Sequence, residues 1–145
     1  LNLSSHPRYN RIAITIGFSS IDHQTIRSAI AQGGKHARYL LLHVVETAGA
    51  MVYGSDIEDQ ESAKDMAELE NYKSQLEQLG YDVEIKIGFG NPKSRIPAIV
   101  KDFQADLLVM GAHGHKFFKD LIFGTTVDTV RHRVGIPVLI VKETD

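Results

Sequence analysis

Leu107-Leu108-Val109-Met110-Gly111 is the stretch of sequence that decides the fold. Four large apolar residues in succession, ended by a glycine, are typical of a short strand that is buried on both faces. Such strands occur almost only in parallel sheets whose two faces are covered by helices. The stretch therefore predicts a parallel sheet inside an α/β domain.

Four more strands are predicted on the two sides of this stretch. They are Ile12–Ile16, Tyr39–Val45, Val83–Ile87 and Val138–Val141. The run at 83–87 alternates apolar with charged residues, which suits a strand near a sheet edge. Apolar residues recur at helical spacing between the strands. Because strands and helices alternate along the chain, we expect a five-stranded, parallel, doubly wound sheet with helices on both faces and right-handed crossovers.

Three helix features are predicted from local residue types. Ser19 followed by Asp22 resembles a capping box, with Ser19 as the helix cap. Asn91 can cap a later helix whose first residue is Pro92. Pro97 lacks an amide hydrogen, so it predicts a kink or a late start in that helix.

The longest helix is predicted over Glu58–Leu79, after a loop over residues 46–57. One side of this helix carries an apolar stripe that ends at Leu79. We expect the rest of the stripe to be core packing: Met66, Leu69, Tyr72 and Leu76.

Length and composition favour one domain over residues 1–145, with 1–9 as an extended lead-in. The chain has no cysteine, which excludes disulfides and thiol catalysis. Its net charge of -2 and the lack of a long basic run argue against a nucleic-acid partner.

No apolar stretch approaches the ~20 residues that span a bilayer, and the first residues do not resemble a signal peptide. We therefore expect a cytoplasmic location and no membrane insertion by this segment. The sequence does not begin with methionine. Trimming explains this, and so does excision from a longer protein, in which case residues 1–9 are a linker from an upstream region.

Two glycine-containing segments are the candidates for a binding site, because ligands bind at the carboxyl ends of strands where the strand order reverses. The first segment, Gly17-Phe18-Ser19, follows the first strand. The second begins after the fourth strand and consists of a Gly-x2-Gly-x9-Gly-Thr pattern followed by a second threonine. Its candidate residues are Gly111, His113, Gly114, Gly124, Thr125 and Thr126.

Glycines allow close approach of a ligand to the backbone, and the threonines add hydroxyl donors for phosphate. The same glycines also fit a second interpretation, a tight turn with a close helix–sheet contact. The pattern is neither a Walker motif nor a dinucleotide fingerprint.

The segment from Leu107 to Val141 resembles the C-terminal third of universal stress proteins. The similar features are the Asp106-Leu107 to Gly111 strand end, the glycine–threonine pattern and the final Pro137-Val138 strand. The Leu41–Glu46 segment resembles the second strand of that family, and the turn at residues 90–92 resembles its Gly-Asp-Pro turn.

The resemblance implies a five-stranded sheet in the order 3-2-1-4-5 and a homodimer formed through the last strand, Val138–Val141. It also implies an ATP site, with Mg²⁺ as an allowed companion ion. Gly111, His113 and Gly114 would then flank the ribose and phosphates, and the backbone near Val45 would face the adenine. The resemblance assigns the phosphates to Gly124, Thr125 and Thr126.

One departure from the family concerns Gly17 and Phe18. ATP-binding members usually have Asp-Gly-Ser at the positions of Gly17, Phe18 and Ser19, so the carboxylate is absent here. Phe18 either stacks on a base or blocks the pocket.

No carboxylate pair for Mg²⁺ and no catalytic base are evident near the phosphate site, so we do not expect an enzyme. His113-x-His115 is a weak metal motif because it lacks further ligands. We expect the pair to be exposed or to contact phosphate, and we predict no metal site. His43 is expected to be a satisfied core histidine.

The sequence therefore predicts a dimeric, ATP-binding regulatory domain of the stress response. The alternatives are an interaction module that binds no nucleotide, and a cytosolic regulatory domain of a membrane ion or metal transporter.

Overall fold

The computed structural model describes residue 1 and residues 8–46, 55–112 and 126–143, of which 55–61 as backbone. Strands and helices alternate through these residues, with a short 3-10 turn at Gly34–His36 between the first helix and the second strand. The strands are β1 Arg11–Thr15, β2 Arg38–Val45, β3 Asp82–Phe89, β4 Leu107–Ala112 and β5 Val138–Lys142. The helices are α1 Asp22–Gly33, α2 Ser55–Gln78, α3 Pro92–Phe103 and α4 Val127–Arg133.

All five strands form one parallel sheet in the order β3-β2-β1-β4-β5. This confirms the predicted fold and order, including the edge position of β3. β1 lies at the centre, where Ile12 pairs with Tyr39 of β2 and with Leu107 of β4. The chain order reverses at β1 and β4, so their carboxyl ends form the switch point at which ligands bind in this class of sheet.

Two buried layers lie on the two faces of the sheet. On one face, β-strand residues such as Ile14 pack with Ile26 of α1 and Leu69 of α2. On the other face, Leu108 packs with Ile99 of α3 and Val130 of α4. The uninterrupted apolar character of the central strands follows from this burial on both sides.

The amino ends of β1 and β4 are joined by a side chain. The Asp106 carboxylate accepts hydrogen bonds from the backbone N–H groups of Asn10 (2.8 Å) and Arg11 (2.9 Å). The Arg11 side chain donates in turn to the carbonyl of Phe103 at 2.7 Å. These bonds fix the start of the central strand against a part of the chain that lies far away in sequence.

The apolar stripe of α2 is only partly core. Leu69 and Leu76 are buried, and Tyr72 packs against the core. Met66 is 38% exposed, so its assignment to the core was wrong, and Leu79 at the end of the stripe is 63% exposed. Met66 lies at the middle of α2, so its exposure reflects its place at the flank of the buried face that Leu69 and Leu76 define.

Helix α3 begins at Pro92, as predicted, with the Asn91 side chain accepting from the Lys93 N–H at 3.0 Å. It continues through Pro97, so the late start was wrong. Pro97 has no N–H to donate to the carbonyl of Lys93, four residues earlier. Arg133 from the end of α4 donates to that carbonyl instead, at 3.3 Å.

The ends of two other helices differ from the sequence-based prediction or lie outside the described residues. Helix α2 begins at Ser55, three residues before the predicted Glu58. Residues 47–54 of the predicted loop lie outside the described residues, and so do residues 121–125 of the helix that the sequence predicts over Leu121–Val134. Among the described residues, no helix is long and apolar enough to cross a bilayer.

Candidate functional site at the switch point

Six of the ten predicted site residues lie in the described part of the chain. Gly17, Phe18 and Ser19 follow β1, Val45 ends β2, and Gly111 is near the end of β4. The sixth, Thr126, directly precedes α4. The other four, His113, Gly114, Gly124 and Thr125, lie outside the described residues. The parallel sheet thus places Gly17–Ser19, Val45 and Gly111 at the same carboxyl edge.

The loop after β1 is organised by Asp22, the first residue of α1. The carboxylate of Asp22 is buried and accepts from the N–H of Gly17 at 3.1 Å and from that of Ser19 at 3.2 Å. The Tyr72 hydroxyl of α2 also donates to it, at 3.4 Å. Two of the amides that face the switch point therefore already have an anionic partner within the chain.

The predicted capping box at Ser19 is half present. The bond from the Ser19 N–H to the Asp22 carboxylate is the acidic half of such a box. The hydroxyl half is absent: the Ser19 oxygen is buried and has no hydrogen-bond partner in the described part of the chain. Ser19 as a side-chain cap was therefore wrong. The backbone carbonyl of Ser19 accepts from the Asp22 N–H at 3.1 Å and leaves the hydroxyl unused.

Phe18 has a backbone φ of 57°, in the left-handed region that favours glycine. This explains why a glycine suits the corresponding position of the family motif. The Phe18 ring packs on the imidazole of His43, with ring centroids 4.5 Å apart, and against the core layer beneath α1 and α2.

His43 has partners at both ring nitrogens, as expected for a satisfied histidine. Nδ1 lies 2.6 Å from the carbonyl oxygen of Ile16, and Nε2 lies 3.5 Å from the Asp65 carboxylate of α2. The His43 side chain is 18% exposed, so it lies at the margin of the core. Since the Ile16 carbonyl only accepts hydrogen bonds, Nδ1 is the donor in this arrangement. The imidazole links α2 to the end of β1.

Gly111 is required by packing at its position in β4. A Cβ atom there would lie 2.7 Å from the Thr25 hydroxyl oxygen and 3.0 Å from a methyl carbon of Ile21. Gly17 differs: a Cβ atom there would meet nothing within 4 Å. Close packing thus explains why residue 111 is a glycine, whereas the space around Gly17 would accept a side chain.

Val45 and Tyr72 complete the described surroundings of the site. The carbonyl of Val45 accepts from the Gly90 N–H at 2.9 Å, which ties the end of β2 to the turn after β3. Burial, together with the negative charge of Asp22, raises the pKa of Tyr72 to about 12. Tyr72 therefore remains a neutral hydrogen-bond donor to Asp22 across the physiological pH range.

Three of these residues were not assigned to the site from sequence. The sequence indicates Asp22 only as a helix-start residue, and nothing in it connects Asp65 or Tyr72 with the site. Asp65 and Tyr72 come from α2, and only the tertiary fold brings them to the end of β1. No group of three or more potential metal ligands lies together among the described residues, and the predicted pair at 113 and 115 lies outside them.

The doubly wound sheet and the site at its switch point define a class of α/β proteins, and the chain resembles the universal stress proteins within that class. The chain belongs to the universal stress protein family, whose model matches residues 8–142.

Individual relatives agree with this assignment. The chain is 35% identical over 74 residues to the universal stress protein MJ0577 of Methanocaldococcus jannaschii, over 51% of this chain and 46% of the relative. It is 25% identical over 153 residues to the universal stress protein Sll1388 of Synechocystis, over 92% of this chain and 98% of the relative. The chain spans about half the length or less of the first two curated relatives that it matches.

Solved structures show the same fold. The structure of MJ0577 matches with a TM-score of 0.82 and 25% identity, over 96% of this chain and 99% of the other. A universal stress protein in complex with cAMP matches with a TM-score of 0.66 and 20% identity, over 93% and 98% of the two chains. A family protein from Arabidopsis thaliana with AMP bound matches with a TM-score of 0.64 and 21% identity, over 93% and 92%.

Proposed function

We propose that this chain is a regulatory domain of the stress response that binds an adenine nucleotide, ATP in the first place, at the switch point between β1 and β4. The observation that carries the proposal is the position of the glycine–threonine pattern. It begins at Gly111, at the carboxyl end of β4 and next to the central strand. Two structural neighbours, one in complex with cAMP and one with AMP bound, support the choice of an adenine nucleotide.

The described residues fit such a ligand in part. The open space around Gly17 leaves room beside the end of β1, and the close packing of Gly111 on α1 lets that strand end lie tightly against the helix. The N–H groups of Gly17 and Ser19 are engaged by Asp22. Recognition of phosphate therefore depends on the glycine–threonine segment, that is, on Gly114, Gly124, Thr125 and Thr126.

This engagement of the loop also favours a second candidate function, an interaction module without a nucleotide. The loop after β1 has neither the family's carboxylate nor free amides at Gly17 and Ser19. The chain would then act through its surfaces, either as an independent protein or as a cytosolic domain of a membrane transporter. Under both candidates we propose a cytoplasmic location.

We further propose a homodimer formed through β5, the edge strand Val138–Lys142. Val138, Leu139 and Ile140 are only partly buried in the single chain, and an apolar edge strand favours pairing with another strand. Pairing of β5 with its copy about a two-fold axis would provide hydrogen-bond partners for the backbone groups of that edge. Sedimentation that shows a monomer up to high micromolar concentration would contradict this proposal.

We propose no catalytic activity. Binding of ATP, with Mg²⁺ as an optional companion, would instead stabilise a dimer or a partner-binding state. A rate of ATP hydrolysis that is above that of a Gly124→Asp variant would show the opposite.

The proposed function is tested by mass spectrometry of nucleotides released from the denatured, freshly purified protein, followed by titration of the emptied protein with ATP. We expect saturable binding that Gly124→Asp abolishes, because the added carboxylate repels phosphate. Asn71→Asp, at an exposed position of α2, is the matched control for the added charge and should bind normally. If the wild-type protein binds no adenine nucleotide, the interaction module is the correct function.

A further inference from the structure

A groove runs between α1 and α2 on the outer side of the first core layer. Its volume is about 340 Å³, within the range of roughly 300–1,000 Å³ typical of small-molecule sites. The two helices pack mainly on the sheet rather than on each other, which leaves the space between them open. The groove is therefore a preformed concave surface of ligand size.

The lining of the groove is mainly apolar. Ile26 and Ile30 of α1 face Leu76 of α2 across it, and the aromatic rings of Tyr72 and Tyr81 lie along it. Leu79 also lines it, although 63% of this residue is exposed. Burial of apolar surface is favourable, so an exposed leucine beside buried apolar residues marks a surface that an apolar group can cover with a gain in stability.

The charge of the groove is one-sided. Arg27 lines it, and none of the lining residues carries a carboxylate. Among the side chains that the structure describes, Arg27 has no ion pair. Negative charge is instead at the hydroxyl end of Tyr72, where the Asp22 carboxylate lies 3.4 Å away. An anionic group is therefore favoured at Arg27 and disfavoured at the end near Asp22.

We propose that this groove binds a small organic anion with an apolar tail, such as a medium-chain carboxylate. The carboxylate would pair with the guanidinium of Arg27, and the tail would cover Ile26, Ile30 and Leu76. The mixture of apolar walls with one oriented charged group is the usual composition of such sites. Arg27, Ile26, Ile30 and Leu76 are not part of the proposed nucleotide site, and only Tyr72 borders both.

The test uses octanoate as the probe, followed by NMR on the protein with labelled isoleucine and leucine methyl groups. We expect saturable shifts of the Ile26, Ile30, Leu76 and Leu79 methyl signals. Heptyltrimethylammonium, which has the same seven-carbon tail and the opposite charge, should bind about fivefold more weakly, the upper range for an exposed ion pair.

Two variants at exposed positions test the charged part and the apolar part of the site separately, and neither removes a buried side chain. Arg27→Gln should weaken octanoate about fivefold and leave the binding of octan-1-ol unchanged. Leu79→Ala should weaken both probes. Equal binding of the two charged probes, or shifts located elsewhere, would overturn the proposal. So would a concentration-dependent dimer that Leu79→Ala dissociates, because a second copy would then cover the groove.

Discussion

Phe18 adopts a backbone conformation that costs an L-residue roughly 1–2 kcal/mol relative to the right-handed form. Its ring contact with His43 offsets part of that cost, and the partners of His43 at Ile16 and Asp65 hold the imidazole in place. The residue that departs from the family's glycine is therefore part of a packed cluster, which includes α2 as well as the loop.

Gly17 allows a direct test of the missing carboxylate. Its Cβ position is open and its φ is not in the left-handed region, so Gly17→Asp introduces no clash. If the family's aspartate role applies here, Gly17→Asp should bind ATP about tenfold more tightly, the value of one hydrogen bond to a charged group. Gly17→Asn, of the same shape without the charge, should gain less in the same calorimetric titration. Equal affinities of wild type and Gly17→Asp would show that the site does not use this position.

The two glycines at the switch point should respond differently to alanine. Gly111→Ala places a methyl group against Thr25 and Ile21, and we expect it to lower the free energy of unfolding by about 1–3 kcal/mol. Gly17→Ala should change it by no more than about 0.5 kcal/mol. Urea unfolding followed by circular dichroism measures both. A neutral Gly111→Ala would mean that α1 can move away from β4.

The position of the candidate site could be predicted from the sequence, whereas its hydrogen-bond network could not. The glycines and the alternation of strands and helices are local features of the sequence. Together with the rule that ligands bind at the switch point, they predict where the site lies on the sheet. The contact between Asp22 and Tyr72 joins residues 50 positions apart, and that between His43 and Asp65 joins β2 to α2. Such pairs depend on the rotation of a helix about its axis on the sheet. The periodicity of apolar residues shows which face of the helix is buried, but it does not give the exact rotation.

At the scale of elements, α3 contains a proline whose missing hydrogen bond is replaced from α4. We expect Pro97→Ala to raise the free energy of unfolding by about 1–3 kcal/mol, because alanine restores the bond to the Lys93 carbonyl. Arg133→Ala should cost about 0.5–1 kcal/mol in the wild type and almost nothing in the Pro97→Ala background. Thermal and urea unfolding of the four proteins gives the coupling.

Arg131→Ala is the matched control for this double-mutant cycle. Arg131 lies on the same helix as Arg133 and is also exposed, but it pairs with Asp128 at 2.6 Å rather than with α3. Its effect should be the same with and without Pro97→Ala. A coupling of Arg131 as large as that of Arg133 would mean that the proline acts through the position of the whole helix.

The elements themselves followed from sequence except where tertiary contacts override local preference. The five strands were predicted because each is apolar and bounded by turn residues. The uninterrupted course of α3 through Pro97 was not predicted, because its compensation comes from Arg133 on another helix. The exposure of Met66 was missed for a related reason: an apolar stripe shows which side of α2 faces inward, but not how the helix is rotated within that side.

At the scale of the whole molecule, stability should fall at alkaline pH. Burial raises the pKa of Tyr39 to about 12, and burial with the charge of Asp22 raises that of Tyr72 to about 12, from an ordinary value of 10.0. Below pH 10 both phenols are protonated in the folded and the unfolded chain. Between about pH 10 and 12 the unfolded chain loses these protons first, so the free energy of unfolding decreases as pH rises.

Urea unfolding between about pH 9 and 12, together with the phenolate absorbance of the native protein, measures this decrease. Tyr39→Phe removes one of the two groups, so its alkaline decrease should be smaller than that of the wild type. The same variant loses the hydrogen bond to the Gly34 carbonyl (2.6 Å), which should cost about 1 kcal/mol at neutral pH. A pH-independent difference between the two proteins would contradict the alkaline part of the prediction.

The central position of β1 also determines the order in which the chain can fold during its synthesis. β1 is made before the other four strands of this sheet, and its second neighbour, β4, begins roughly 90 residues later. At about 5–20 residues per second, a ribosome needs roughly 5–20 s to make that interval. During this time β1 can pair with β2 alone, and the edge that β4 later covers, at Ile12 and Ile14, is open. Nascent chains that end before residue 107 should therefore be substrates for chaperones that bind apolar strands.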